Sequence, residues 1–269
     1  MSNEERPTRL TIRGVTKRFA IGDDEVEALA PVDLTIAQGE FVCLIGASGC
    51  GKSTLLRVIA GFEEPTTGET SIGGKTITGP GRDRGMVFQD YALFPWMTVR
   101  ENISFGPRQR QLPKAEIEGI TDEFIRMVGL ERFAERYPSQ LSGGMKQRVA
   151  IARVLANNAS ILLMDEPFGA LDALTREQLQ NELLQIWSRT GVTAIFVTHS
   201  VEEAVLLADR VLVMSAGPGR IESDLRVELT RPRDVSSPEF NELRRDVARR
   251  LTSHLAPARG VNLRDVAAD

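Results

Sequence analysis

Cysteine and histidine are nearly missing from this chain: of its 269 residues, two are Cys and two are His. Two cysteines, Cys43 and Cys50, make no disulfide framework, and they point to a reducing compartment, the cytosol. No run of eighteen apolar residues occurs, so no segment is expected to cross a bilayer as a helix. Residues 1–9 are polar and lack the apolar centre of a signal peptide. There is also no long basic block. Lys and Arg total 33 against 37 Asp and Glu, for a net charge of -4, so no nucleic-acid partner is expected. Arg244, Arg245, Arg249 and Arg250 alternate with apolar residues and read as the solvated face of a helix.

What is present is punctuated α/β patterning. Residues 8–36 alternate loosely and read as short strands around a polar turn at 22–24. Residues 41–45 are a continuous apolar run, as a buried parallel strand requires. A helix is expected over 53–60 with Gly61 as its cap, then a hairpin over 68–77 turning at Gly73-Gly74, and a strand over 85–89. Residues 99–158 are mostly helical by period and too long for one crossover, so they read as a projecting subdomain. Beyond them the pattern alternates: strand 161–164, helix 172–189, strand 194–198, helix 201–208, strand 210–215. That alternation implies a mostly parallel sheet. Ser237-Pro238 opens a last helix, with Phe240, Leu243, Val247, Leu251 and Leu255 as a core or dimer stripe. The end, from about residue 256, reads as loose, and His254 reads as a surface residue of the tail helix.

Two stretches carry chemistry. Gly46-Ala47-Ser48-Gly49-Cys50-Gly51-Lys52-Ser53-Thr54 fits G-x-x-x-x-G-K-[ST] between a strand and a helix, the context of a phosphate loop. Glycines there let backbone N–H groups turn toward phosphate oxygens, and the helix start adds free donors and its dipole. Lys52 supplies a point charge for the β and γ phosphates, and Ser53 a hydroxyl for Mg²⁺. The strand at 161–164 ends in Asp165-Glu166, where ligands of open parallel sheets sit. Asp165 can hold Mg²⁺, and Glu166 can orient or deprotonate an attacking water. The expected cofactors are ATP and Mg²⁺.

With these motifs stands Leu141-Ser142-Gly143-Gly144-Met145-Lys146-Gln147-Arg148, which resembles the signature of the ATP-binding subunits of ABC transporters and lies upstream of Asp165 in that family's order. The resemblance runs from about residue 8 to 216 and continues in part through the tail. It implies a P-loop NTPase fold: a mostly parallel core sheet, an N-terminal antiparallel β subdomain and an inserted helical subdomain at about 92–158. The cassette is then 8–230, and 231–269 is a C-terminal helical extension and loose tail. No extra regulatory domain is expected, since the residues after Arg220 suffice for a terminal helix and little more. The resemblance further implies roles: Gln89 reaches Mg²⁺ and the attacking water, Gly169-Ala170-Leu171-Asp172 crosses a dimer interface, His199 contacts the γ-phosphate, and Phe19 stacks on adenine in place of the commoner Tyr.

Ser142, Gly143 and Gly144 open a second anion-binding helix start, which the family presents to the ATP of a head-to-tail partner. Residues 91–97, Tyr-Ala-Leu-Phe-Pro-Trp-Met, form an apolar patch that the family uses to dock a membrane permease. Segments such as Ser215-Ala216-Gly217-Pro218-Gly219-Arg220 and Arg231-Pro232-Arg233 resemble the nitrate/sulfonate/taurine importer branch. The expectation is a homodimeric ATPase, peripheral on the cytoplasmic face of the cell (inner) membrane. It energises uptake of a small anionic solute that an external binding protein delivers. The alternative is an ABC-type ATPase serving another transporter, or a nucleic-acid- or ribosome-linked process. The stretch between Lys52 and Pro138 leaves no room for the long coiled coil of the DNA-repair relatives.

Overall fold

The apolar run of the first phosphate-binding stretch is strand β3 (Phe41–Gly46), buried at all six positions. In the computed structural model, which describes residues 8–253 except 23 and 170, β3 is near the middle of a six-stranded sheet. The strands, with β1 (Thr8–Ile21), β2 (Asp24–Ala37), β4 (Thr67–Ile72) and β5 (Lys75–Thr76) set aside, are β6 (Arg84–Val87), β7 (Ile161–Asp165), β8 (Thr193–Thr198), β9 (Arg210–Met214) and β10 (Ile221–Arg226). Their order is β10-β9-β3-β8-β7-β6. All pairings are parallel except β10 with β9.

The period-2 alternation of β3 divides two cores. Phe41, Cys43 and Ile45 face one, Val42 and Leu44 the other. Helix α1 (Lys52–Ala60) and the antiparallel sheet cover the second face. The first is covered by α4 (Gly143–Ala156), α5 (Ala173–Thr190), α6 (Val201–Leu207) and α7 (Pro238–Ser253). Each fully buried Leu, Ile or Phe here contributes roughly 1.5–3 kcal/mol. The antiparallel sheet has the order β2-β1-β4-β5. Its first two strands are 14 residues each, where short strands were expected. Register shifts along β1 absorb the loose alternation, with Gly14 at φ +52 beside one of them.

The middle region holds α2 (Val99–Gln109), α3 (Lys114–Met127) and α4. Thr98 and Glu101 close a reciprocal capping box on α2.

The C-terminal part departs from expectation. β10 adds an antiparallel edge strand after Arg220 that the sequence reading does not include. Side chains also bridge the expected boundary near Thr230. Phe240 and Val247 of α7 are 1% and 0% exposed, in the larger core. Arg231 donates to Asp209 at 2.6 Å and lies over the Trp187 ring. Arg233 donates to the carbonyls of Val205, Leu206 and Ala208, satisfying the free C-terminal end of α6. Burial pushes the Arg233 guanidinium down to about 10. Leu255, His254 and the tail from 256 lie outside the described residues.

Candidate nucleotide site

Parallel pairing brings the ends of β3, β7, β8 and β6 to one sheet edge. Ile45 pairs with Thr198, Asp165 with Val197, and Val87 with Met164. Gly46, Asp165-Glu166, His199 and Phe88-Gln89 therefore share that edge, where an open α/β sheet binds its ligand.

The loop between β3 and α1 is shaped by glycine. Gly51 has φ +91, and a Cβ on it would stand 2.7 Å from the Ala28 carbonyl oxygen. A Cβ on Gly46 would meet the Cys50 sulfur at 2.5 Å. No other residue fits these two positions without a shift of backbone. Ser48 and Gly49 are exposed at the tip, and Thr54 is half-buried in α1. Lys52 is 6% exposed, and its ammonium donates to the Gly46 and Ala47 carbonyls at 2.9 and 2.8 Å. These are bonds that a phosphate oxygen can replace. Phe19 sits on β1, half-buried, with the Lys17 ammonium 4.9 Å from its ring centre. It pairs with Val26, near the Ala28 that abuts Gly51.

Ser53 Oγ donates to Asp165 Oδ1 at 3.0 Å. One hydroxyl and one carboxylate, both hard oxygen donors, suit Mg²⁺, which takes few protein ligands and fills its remaining positions with water and phosphate oxygens. Burial holds the Asp165 carboxyl above the usual carboxylate range, and the Ser53 hydrogen bond pulls it back. The next residue, Glu166, has φ +46, a left-handed conformation rare outside glycine. Its backbone N–H donates to Val197 O at 3.0 Å, and its Oε2 lies 3.1 Å from His199 Nδ1. Gln89 is exposed, and its Nε2 would be 3.5 Å from a Cβ on Gly169. So Gln89, Glu166 and His199 converge beside the Ser53–Asp165 pair.

The second helix start stands apart. Ser142 is exposed and caps α4, accepting from Met145 N at 3.3 Å. The nearest atoms to a Cβ on Gly143 or Gly144 belong to Tyr91, Leu171, Thr175 and Leu179, none of them in the phosphate loop. Asp172 caps α5, accepting from the backbone and hydroxyl of Thr175, which holds its carboxyl below the usual range. Leu174 beside it is 81% exposed.

In the apolar patch Trp96 is 69% exposed, and its ring lies 5.7 Å from that of Phe94. Two residues passed over in the sequence hold this patch. Asn102, fully buried, donates to the carbonyls of Phe94, Met97 and Thr98 and accepts from Phe94 N. Arg153 donates to Ala92 O at 2.8 Å and lies over the Phe94 ring. The available signal was polarity on an otherwise apolar helix face. The turn containing Gly219 was likewise read only as a surface segment. Its backbone is bonded to Ala28 and Ala30, and a Cβ on Gly219 would strike the Cys50 carbonyl, so it braces the phosphate loop from behind.

Among the described residues, no helix is long and apolar enough to cross a membrane. The family model described as ABC transporter matches residues 29–169. An uncharacterized ABC transporter ATP-binding protein of Methanocaldococcus jannaschii is 53% identical over 239 residues, covering 89% of this chain and 90% of that protein. A taurine import ATP-binding protein of Roseobacter denitrificans is 51% identical over 221 residues, 82% of each chain. Among solved structures, a dimeric ATP-binding cassette in a post-hydrolysis state with ADP and Pi superposes with a TM-score of 0.71 at 35% identity, covering 82% of this chain and 100% of that one. Phosphate loop, metal-type pair, sheet-edge carboxylate and these relatives agree: the chain belongs to the ABC transporter family and is an ABC-type ATPase.

Proposed function

We propose that this chain hydrolyses Mg-ATP as one half of a head-to-tail cassette dimer, and that the dimer energises uptake of a small anionic solute through a membrane permease. The observation that carries the reading is the Glu166–His199 contact of 3.1 Å, set beside the Ser53–Asp165 pair at the mouth of the phosphate loop.

Each residue has a stated task. The loop N–H groups of 46–54 and Lys52 bind and orient the phosphates, and Phe19 stacks on the adenine. Ser53, Asp165 and Gln89 hold Mg²⁺, which when bound neutralises charge on the phosphate oxygens. Glu166 accepts a proton from the attacking water as its oxygen bonds to the γ-phosphorus and the bond to the leaving ADP oxygen breaks. His199 donates from Nδ1 to Glu166 and fixes that carboxylate; reaching a γ-phosphate oxygen from Nε2 at the same time takes a proton on that nitrogen as well, that is, the doubly protonated ring. Phosphoryl transfer needs mainly such positioning and charge stabilisation. Ser142, Gly143 and Gly144 close over the ATP of the second subunit, with Asp172 and its neighbours at the contact between the two. The exposure of Ser142 and Asp172 on one chain, and the absence of phosphate-loop atoms among the nearest neighbours of Gly143 and Gly144, support this placement.

Residues 91–97 dock the permease. An aromatic patch directly after Gln89 would carry ATP occupancy to the membrane partner, and Asn102 and Arg153 fix its shape. The protein is then peripheral on the cytoplasmic face of the membrane, with the external binding protein an indirect partner. The taurine import and bicarbonate transport relatives support a small solute that bears an anionic group. Capture of the chain from membranes, followed by ATPase assay of the reconstituted complex, tests the reading. A co-purifying permease whose anionic solute stimulates ATPase activity supports it. Solute-independent activity with a DNA or ribosomal partner contradicts it.

A further inference from the structure

Beneath the His199 turn lies a buried carboxylate that the chemistry above does not use. Glu203, in the first turn of α6, is 7% exposed. Its Oε2 accepts from Thr198 Oγ1 at 2.5 Å, and its Oε1 accepts from Gln180 Nε2 at 3.2 Å. Thr198 and Ser200 flank the histidine; Thr198 bonds the carboxylate directly, and Ser200 bonds Thr198 and the Glu203 backbone. Ser200 N donates to Thr198 Oγ1 at 3.0 Å, and Ser200 Oγ accepts from Glu203 N at 3.3 Å. On its other side Glu203 faces Arg176, whose Nε is 3.7 Å away. Arg176 also donates through Nη2 to Leu171 O at 2.8 Å, next to Asp172. A cavity of about 20 Å³, lined by Glu166, Gly169, Arg176, Thr198, His199 and Glu203 among others, joins this network to the hydrolytic pair.

Hiding a carboxylate is costly, and an apolar residue of similar volume would pack under a helix at less cost. What the carboxylate supplies is direction. It fixes the Thr198 hydroxyl, which in turn fixes the backbone N–H that follows His199. We propose that Glu203 is a positioning residue for hydrolysis. It holds the turn that presents His199 to Glu166 and, through Arg176, links that turn to Leu171, beside the Asp172 proposed to meet the second subunit. This rests on the reading of Glu166 and His199 as the hydrolytic pair.

The test is steady-state ATP turnover by the full chain carrying Glu203→Gln, Thr198→Val, Thr198→Ser or His199→Ala, with thermal melting of each. Glu203→Gln keeps the size and loses the charge facing Arg176. Thr198→Val removes the hydroxyl, and Thr198→Ser restores it. The expected result is that Glu203→Gln and Thr198→Val lower kcat about tenfold, leave the KM for ATP within about twofold and melt near the wild type, because only the presentation of His199 is loosened. Thr198→Ser should stay within about twofold in every parameter. Wild-type kcat in Glu203→Gln and Thr198→Val, with His199→Ala impaired, overturns the positioning role and leaves the pair intact. A loss in Thr198→Ser equal to that in Thr198→Val, or a loss that follows KM or melting, also overturns it. Wild-type turnover in His199→Ala refutes the underlying pair instead. If Glu203→Gln does not fold, the two Thr198 variants decide by the same outcomes.

Discussion

Two helix starts in this chain can bind an anion, and they are built differently. The phosphate loop ahead of α1 is closed in on itself. Lys52 is buried and bonded to loop carbonyls, Gly51 is pressed against Ala28, and the Gly219 turn braces Cys50 from behind. The start of α4 is open, with Ser142 exposed and its glycines in contact with side-chain ends only. The first is complete within one chain. The second leaves Ser142 exposed, and the atoms nearest its glycines belong to Tyr91, Leu171, Thr175 and Leu179, not to the phosphate loop. That asymmetry is what a composite site between two copies requires, since twofold symmetry then completes both sites at once.

Breaking the closed half should have the largest effect. Lys52→Ala removes the charge proposed to neutralise the β and γ phosphates, and turnover should fall by at least about 100-fold with weakened nucleotide binding. A colorimetric phosphate assay and a nucleotide titration read both. Near-normal turnover would remove the loop from the chemistry.

Ser142→Arg should abolish turnover to a similar degree by blocking the open half, yet leave binding of ATP to the isolated chain within about twofold, because the nearest atoms to the adjoining Gly143 and Gly144 lie outside the phosphate loop. Lost binding by a folded variant would mean that Ser142 serves its own nucleotide.

Adding a methyl group to each half sharpens the contrast. Gly51→Ala forces a side chain to φ +91 against a backbone carbonyl and should cost on the order of 1–3 kcal/mol in a denaturant melt. Gly143→Ala meets only Leu171 and the Tyr91 hydroxyl, both able to move, at a helix position that favours alanine. It should melt within about 0.5 kcal/mol of the wild type and still lose turnover, through poorer approach of the partner's phosphate. Equal melting of the two variants would erase the structural distinction.

The smallest effect belongs to a site that neither half uses. Trp96→Ala should leave melting and basal turnover unchanged, because the ring is 69% exposed, and should lower the yield of permease in co-purification. A wild-type yield would make the patch a packing feature between subdomains.

The closed half was legible in the sequence and the open half only through family resemblance, and the reason is physical. The strands that feed the nucleotide edge are buried on both faces, so β3, β7 and β8 read as unbroken apolar runs ending in the residues of interest. The Gly and Lys spacing of the loop is dictated by backbone contacts that tolerate no side chain. The antiparallel strands were harder, since bulges break the alternation of β1. β10 was missed because an edge strand half-buried through Ile221, Ser223 and Leu225 carries little apolar signal. The supports of the site were invisible for another reason. Asn102, Arg153, Glu203 and Arg233 act by hydrogen bonds to partners distant in sequence or to backbone carbonyls, and a buried polar residue looks the same in a sequence as a solvated one. The φ of Glu166 has no sequence signature at all.

The central claim is that ATP joins two chains across these two halves, and Glu166→Gln tests it most directly. The variant keeps Lys52, Ser53 and Asp165, so it should bind Mg-ATP, but it lacks the proposed base and should not consume it. A ligand that binds the dimer preferentially shifts the population toward it. Light scattering after size exclusion should therefore find the Glu166→Gln protein as a dimer with Mg-ATP and a monomer without. The Glu166→Gln/Ser142→Arg double variant should remain a monomer in both conditions while still binding ATP. A dimer that persists in the double variant, or a single variant that binds Mg-ATP and stays monomeric, would contradict the composite site.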